Sequence, residues 1–367
     1  MVCTLALARE VAMGDVYVGL MKRMDDFPAG ALESEHLLGI LRLIFDEEEA
    51  ELAIDLPSSL EELSSIAERT GRDPQDLYGI LEGMADKGLV FAREKQGKRY
   101  YNLLPLVPGI FEMQFMKGET TPQKRRIAEL FDAYYYEGWG ETSWSSKTAL
   151  ARVMVVEEEI PRSEEVLPYE KVSEFIKDST YMALTTCFCR HETELLGKSC
   201  GAPKDVCMCF GPFAEFLVER GFAQKASRRE MLDALDRAEK AGLVHITDNI
   251  QEKINFICNC CGCCCGFLGT MTRLNIAGAV AASRYLAGVD PDLCDGCETC
   301  VDVCQMKALT MQDDLAVIDE VKCIGCGLCV SSCPSEAMSM RAREGWAEPA
   351  ANLVELGAAF LKERGKL

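Results

Sequence analysis

All but one of the 20 cysteines in this 367-residue chain lie between Cys187 and Cys333, with Cys3 the sole outlier. A disulfide framework is normally the device of a small secreted domain that cannot build a core. This chain is long enough for two or three cores. Its opening residues, Met1 to Asp15, lack both a basic stretch and a small-residue cleavage site, so no export signal is expected. The cysteines also fall in tight C-x-x-C and C-C repeats, the pattern of metal ligands in a reducing compartment, and a cytoplasmic location is expected. No run approaches 18 apolar residues, and Arg284 interrupts the apolar stretch from Ile276 to Val289, which argues against a membrane span.

The most regular part is a tandem repeat. Cys294, Cys297, Cys300 and Cys304 follow the spacing C-x-x-C-x-x-C-x-x-x-C; Cys323, Cys326, Cys329 and Cys333 repeat it, and Pro334 follows. Residues 288–342 thereby closely resemble the bacterial two-cluster ferredoxins. A cubane needs a thiolate at each of four irons, and C-x-x-C-x-x-C can wrap three corners with one loop. Gly296, Gly325 and Gly327 offer room where the backbone approaches a cluster. The resemblance implies that each run takes its fourth ligand from the other. One [4Fe–4S] cluster would then use Cys294, Cys297, Cys300 and Cys333, the other Cys323, Cys326, Cys329 and Cys304. It also implies a low potential. Ala308 to Met311 and Leu315 to Ile318 read as a hairpin, with Ala337 to Met340 as its counterpart. Gln305 departs from the family, which usually has proline there; the loop exit loses rigidity, but no ligand is lost. Structural zinc seldom uses three thiols in such a run.

Eleven cysteines remain. One group is Cys187, Cys189, Cys200, Cys207 and Cys209, beside Arg190 and His191; the other is Cys258, Cys260, Cys261, Cys263, Cys264 and Cys265. So many spare buried thiols would be an oxidation hazard, so the two groups are expected to face each other and share metal. Cys187, Cys189, Cys200, Cys207, Cys260, Cys261 and Cys264 are the candidate ligands. These segments, with the repeat after them, resemble a poorly characterised family of 4Fe–4S-binding proteins of anaerobes, a resemblance that brings no activity with it. Three readings stay open: one or two further Fe–S clusters, for which Cys189, Cys200, Cys207 and a ligand from the second group form one possible set; a structural zinc with spare thiols; or a cluster with an open iron site or unusual nuclearity. Neighbours such as Cys260 and Cys261 point apart and rarely bind one iron. His191 and His245 are read as hydrogen-bonding side chains ahead of ligands; His36 has no visible partner. Arg190 and Lys198 can offset a cluster's negative charge. Gly262 and Gly266 are read as room for metal.

The first half is nearly thiol-free and mainly helical. Ser59 and Glu62 form a candidate capping box, Asp73 and Pro74 open a second helix ending at Gly88, and two strand-like runs flank Gly97. Helix, turn, helix, hairpin over residues 35–105 resembles a winged helix. The second helix carries Asp76, Glu82 and Asp86 but no cation before Lys87, and residues 1–117 hold 12 basic and 21 acidic side chains, a net of −9. Major-groove readout needs donors on that face, so docking or oligomerisation is favoured over DNA binding. A second capping box at Ser227 and Glu230 precedes Gly242 and a strand, a weak echo of the first unit.

The expected organisation is α+β and multidomain: a winged-helix-like domain (1–117), a connector (118–180) whose Tyr134, Tyr135, Tyr136, Trp139 and Trp144 could pack between domains, a cysteine-rich metal-binding domain (181–285), a two-cluster ferredoxin domain with a βαβ pseudo-repeat (286–342), and a C-terminal helix (343–367) packed on the ferredoxin unit or a partner. With 39 basic against 59 acidic residues, the net charge of −20 disfavours nucleic acid and favours a basic protein partner. No G-x-G-x-x-G or Walker sequence is present. The expected function is low-potential electron transfer to an oxidoreductase partner, as a carrier or subunit rather than a stand-alone enzyme. The alternatives are an oxidoreductase with a reactive cluster within 187–265, and a redox-sensing winged-helix regulator.

Overall fold

The computed structural model describes residues 15–144, 146–161, 167 and 170–367. Cys3 and most of the segment read for an export signal lie outside them. Two compact units emerge: one extends to Ser143 and takes in Leu195–Gly197 and Lys366, and the other begins at Trp144.

In the first unit, α1 (Val16–Met24), α2 (Glu35–Ile44) and α3 (Glu47–Asp55) are each started by a side chain that accepts a backbone N–H: Asp15, Ser34 and Asp46. Next come β1 (Glu61–Glu62), α4 (Leu63–Thr70), α5 (Pro74–Asp86), β2 (Val90–Lys95) and β3 (Lys98–Leu103). The strands form an antiparallel sheet in the order β1-β3-β2. Asp73 caps α5, as its sequence predicts. The Ser59–Glu62 capping box does not form. Glu62 occupies the N-cap position of α4 without capping a backbone N–H, because its backbone pairs with Tyr100 and its carboxylate accepts from Ser64 and Lys98. Sheet pairing has outcompeted the local cap.

Residues 118–180 supply both units. Helix α6 (Phe111–Met116) and helix α7 (Pro122–Tyr134) belong to the first, where Phe111 stacks on Phe131 at 3.4 Å and Tyr134 on Trp139 at 5.7 Å. Tyr134 and Trp139 are therefore core residues of one unit. Trp144 packs 4.9 Å from Phe267 in the other.

The second unit contains β4 (Ala151–Met154), α8 (Val172–Asp178), β5 (Met182–Thr185), α9 (Phe188–Leu195), β6 (Cys207–Phe210), α10 (Gly211–Glu219), β7 (Ala223–Lys225), α11 (Arg228–Lys240), β8 (Val244–Asp248), β9 (Phe256–Cys260), α12 (Gly266–Arg273) and β10 (Val280–Ala281). The strands make one seven-stranded sheet in the order β10-β4-β8-β9-β6-β5-β7. Every pair is antiparallel except β10 with β4. The Ser227–Glu230 capping box forms, but the hairpin after it, β8–β9, is built into this large sheet.

The segment after the sheet folds as β11 (Tyr285–Val289), α13 (Thr299–Val303), β12 (Leu309–Gln312), β13 (Leu315–Ile318), α14 (Leu328–Ser331) and β14 (Met338–Ala342). Strand β12 pairs with β13, and β11 with β14, both antiparallel. The last helix, α15 (Leu353–Glu363), buries Leu356 against Met154, Met208, Ile250 and Ile257. It packs on the seven-stranded sheet, not on the ferredoxin segment, because that sheet leaves an apolar surface for Leu356 to cover. Among the described residues, no helix is long and apolar enough to cross a membrane.

Candidate metal centres

The two regular runs enclose two cavities. Cys294, Cys297, Cys300 and Cys333 line the first, with Met311 and Met338 as apolar wall. Cys304, Cys323, Cys326 and Cys329 line the second, walled by Leu309, Ile318 and Leu328. Each cavity thus receives three thiols from one run and one from the other. The crossing follows from the topology: each run enters a short helix, α13 or α14, and the two helices lie side by side. Their last cysteines, Cys304 and Cys333, are thereby carried to the opposite cavity. Four thiols held apart around a space, each free to meet a different metal atom, suit a cubane. The first cavity is the outer one: Cys297 is exposed, and the exposed carboxylates Asp295 and Glu298 share its lining. In the second, burial pushes the Cys326 thiol up to about 12, so metal binding there would release a proton.

Gly325 shows why that loop is rigid. It adopts φ +71°, and a side chain would collide with the carbonyl oxygen of Tyr285. Ser283 Oγ donates to the Gly325 carbonyl at 2.6 Å, and Val156 N donates to the Cys326 carbonyl at 2.9 Å. The glycine admits the neighbouring chain as well as the space around the thiols.

The other eleven thiols divide into three sets. Cys200, Cys261, Cys263 and Cys264 have Sγ atoms all within 4.8 Å of one another, with Cys200–Cys261 at 3.9 Å and Cys263–Cys264 at 3.7 Å. A tetrahedral ion with Zn–S bonds of about 2.3 Å requires sulfurs about 3.8 Å apart. The quartet fits a single ion, whereas thiolates on four separate irons would have to stand farther apart. Its inner member, Cys261, is held down to about 5, chiefly by a hydrogen bond from Cys264, with the charge of Arg190 adding to it.

The second set is a closed ring of six. Cys187 neighbours Cys189 and Cys207, Cys207 neighbours Cys258, Cys258 neighbours Cys260, Cys260 neighbours Cys265, and Cys265 returns to Cys189. Strand register builds half of it: one step beyond the Met208–Ile257 pair, Cys207 faces Cys258, and Cys260 follows Cys258 on the same face of β9. The start of α9 provides Cys187 and Cys189, and Cys265 is the N-cap of α12. Hydrogen bonds from Cys189 and Cys260 hold Cys265 well below the usual thiol range, and the N–H groups of Leu268 and Phe267 reinforce this. Those from Cys207 and Cys260 lower Cys258 to about 7.

Cys209, the eleventh, is buried, and burial raises its thiol. It belongs to neither set and acts as a core side chain.

The structure therefore places the seven candidates in two places: Cys187, Cys189, Cys207 and Cys260 in the ring, Cys200, Cys261 and Cys264 in the quartet. Cys200 is not brought together with Cys189 and Cys207. Cys258, Cys263 and Cys265 were not among the candidates; the alternation Cys258–Cys260 on one strand was the available signal for the first.

Among the polar residues, Arg190 is buried and donates from Nη1 to the Asn259 carbonyl at 2.9 Å and towards Cys261 Sγ at 3.9 Å. Burial works against its charge, but Cys187, Cys207, Cys261 and Cys260 outweigh it. His245 is fully engaged, Nδ1 with Asn259 Oδ1 at 2.5 Å and Nε2 with Glu239 Oε1 at 3.1 Å. It holds Asn259 between two ring cysteines. His36 pairs with Glu137 at 3.0 Å.

Gln305 links the ferredoxin segment to these thiols. Its Oε1 accepts from Gly262 N at 2.8 Å, and its Nε2 donates to the Gly242 carbonyl at 2.8 Å. A side chain at residue 262 would strike the Gln305 carbonyl oxygen. The space at Gly262 is thus taken by Gln305 rather than by metal, and proline at 305 could make neither side-chain bond.

Residues 293–337 match the family described as a 4Fe-4S dicluster domain. With the cysteine groups around it, this match supports a 4Fe–4S ferredoxin-type domain in this part of the chain. Searches of curated proteins and of solved structures each found no match to the chain.

Proposed function

We propose that this protein is an electron carrier holding one [4Fe–4S] cluster in each of the two cavities of the 293–337 segment, on Cys294, Cys297, Cys300 and Cys333 and on Cys304, Cys323, Cys326 and Cys329. The observation that carries this reading is the exchange of the fourth thiol between the runs, which gives each cavity four separated sulfurs. Such clusters supply one-electron chemistry at potentials set by their hydrogen bonds and solvent access.

Electrons enter or leave by the outer cavity. Its exposed Cys297 and acidic neighbours suit a redox partner with a basic docking face. The inner cavity holds Cys304, and the next residue, Gln305, is bonded to Gly262, which lies between Cys261 and Cys263. The 187–265 region holds one or more further metal centres, and this contact joins the dicluster segment to it. The quartet binds a single structural ion, zinc by its all-thiolate tetrahedral geometry.

The 35–105 region is a winged-helix module used for docking. Its order is two helices, short strand, two helices and hairpin, with β1 paired to β3. Two of its wing cations are internally paired, Arg99 with Glu82 at 2.7 Å and Lys98 with Glu62 at 2.9 Å, and the acidic second helix disfavours phosphate.

The test is iron, acid-labile sulfide and EPR on anaerobically purified protein reduced with dithionite. The reading expects about eight iron and eight sulfide attributable to this segment and spectra of two interacting clusters. Fewer than about eight iron per fully reconstituted chain, or clusters that accept no electron, would overturn it.

A further inference from the structure

We infer that the ring of Cys187, Cys189, Cys207, Cys258, Cys260 and Cys265 is a separate site for an iron–sulfur cluster of at least about four irons, with Arg190 donating to its sulfide. The site is distinct from the two ferredoxin cavities and from the quartet.

The arrangement of the thiols supports a polynuclear centre. In the quartet every sulfur is close to every other, as a single tetrahedral ion demands. In the ring each sulfur has two thiol partners and the sequence of contacts closes on itself. Six thiols linked in this way can ligate several metal atoms, more than one tetrahedral ion can use.

The guanidinium of Arg190 is an independent pointer to an anion. The residue is only 3% exposed, yet its Nε and Nη2 have no hydrogen-bond partner. A buried charged donor left unmet is costly, so a native site seldom leaves one without an acceptor. A single zinc ion adds none beyond its own thiolates, and Arg190 already reaches one of those, Cys261, through Nη1. An iron–sulfur cluster presents inorganic sulfide carrying negative charge, and Arg190 lies close enough to Cys187, Cys207 and Cys260 for their charges to act on it.

Two helix N-termini add to the same field. Helix α9 starts immediately after Cys187, and α12 is capped by Cys265. Both bring free N–H groups and the positive ends of their dipoles to a set of thiolates. His245 and Asn259 hold this strand in register from the other side: Asn259 Nδ2 donates to the Val206 carbonyl, beside Cys207. Neither needs to bind metal.

The experiment reconstitutes the full chain anaerobically with ferrous iron, sulfide and zinc, then counts all three. Wild-type protein should hold about twelve or more iron, four or more beyond the ferredoxin segment, and about one zinc. The variant C200S/C263S, altered at two exposed positions of the quartet, should lose the zinc and keep the additional iron. C207S/C258S should keep about eight iron and the zinc. Arg190→Gln should keep the iron but lower the potential of the additional cluster, because a positive charge beside it is gone. Wild type with no more than about eight iron, or loss of the extra iron in C200S/C263S, would overturn the assignment. These results are separable from the electron-carrier reading: loss of the ring's iron leaves the EPR of the two ferredoxin clusters in place, and loss of those leaves the ring.

Discussion

The dicluster segment and the central knot use the same side chain in opposite ways. In the segment, eight thiols stand around two cavities, each kept apart by backbone that wraps around the space. In the knot, four thiols crowd together within 4.8 Å and six more form a ring held by two strands and two helix starts. A loop that carries three ligands of one metal centre writes its function into local spacing. A site assembled from two central strands of a sheet and distant helix termini does not, because its ligands become neighbours only after the sheet has formed.

The sharpest way to break this comparison is to remove one cavity's thiols. C304S/C329S should lose about four iron and one of the two coupled EPR signals, with the zinc unchanged. Retention of all the iron would show that the second cavity is not a cluster site. A large stability effect should also appear in the first unit, which carries none of the candidate ligands. Burial raises the Glu112 carboxyl to about 7, against an N–H bond from Gly109 that acts the other way. The folded state therefore binds this proton more tightly than the unfolded chain. Its contribution is fully present below about pH 4.5 and is lost as pH rises through about 7. Melting from pH 5 to 8 should fall in wild type and stay flatter in Glu112→Gln, with up to roughly 3 kcal/mol regained at pH 8. Equal slopes in both proteins would remove Glu112 as the cause.

The junction between the regions offers the next two tests. Gly262→Ala forces a methyl group against the Gln305 carbonyl, and should cost about 1–3 kcal/mol in denaturant unfolding while the dicluster iron stays bound. An unchanged midpoint would mean that the two segments do not press on each other. The smallest effect belongs to Gln305→Ala, which deletes two 2.8 Å hydrogen bonds. A loss of about 1–2 kcal/mol is expected, with iron and sulfide unaltered. Loss of iron instead would make Gln305 a support for Cys304 rather than a clasp.

Much of the local structure was legible. Asp73 with Pro74 and Ser227 with Glu230 start helices where side chain and backbone are close in sequence. Ser59 with Glu62 shows where this fails: the same signature yielded to pairing with Tyr100, which is distant in the chain. The C-terminal helix was legible as a helix, but its resting place was not, since Leu356 finds its apolar partners on a sheet whose strands come from several parts of the chain. Gln305 was visible as a departure from the usual proline, yet only the proximity of Gly242 and Gly262 gives it a role.

For the thiols, the sequence by itself determined that their spacing is that of metal ligands and which eight cysteines belong to a regular pair of loops. It also indicated that Cys260 and Cys261 diverge, because adjacent side chains leave the backbone in different directions. Tertiary structure alone decided where each then goes, Cys260 to the ring and Cys261 to the quartet, and that Cys209 goes to neither. The physical reason is range. Periodicity fixes a side chain's direction relative to its own backbone, while its neighbours are set by strand register and helix placement, which depend on contacts across the whole unit.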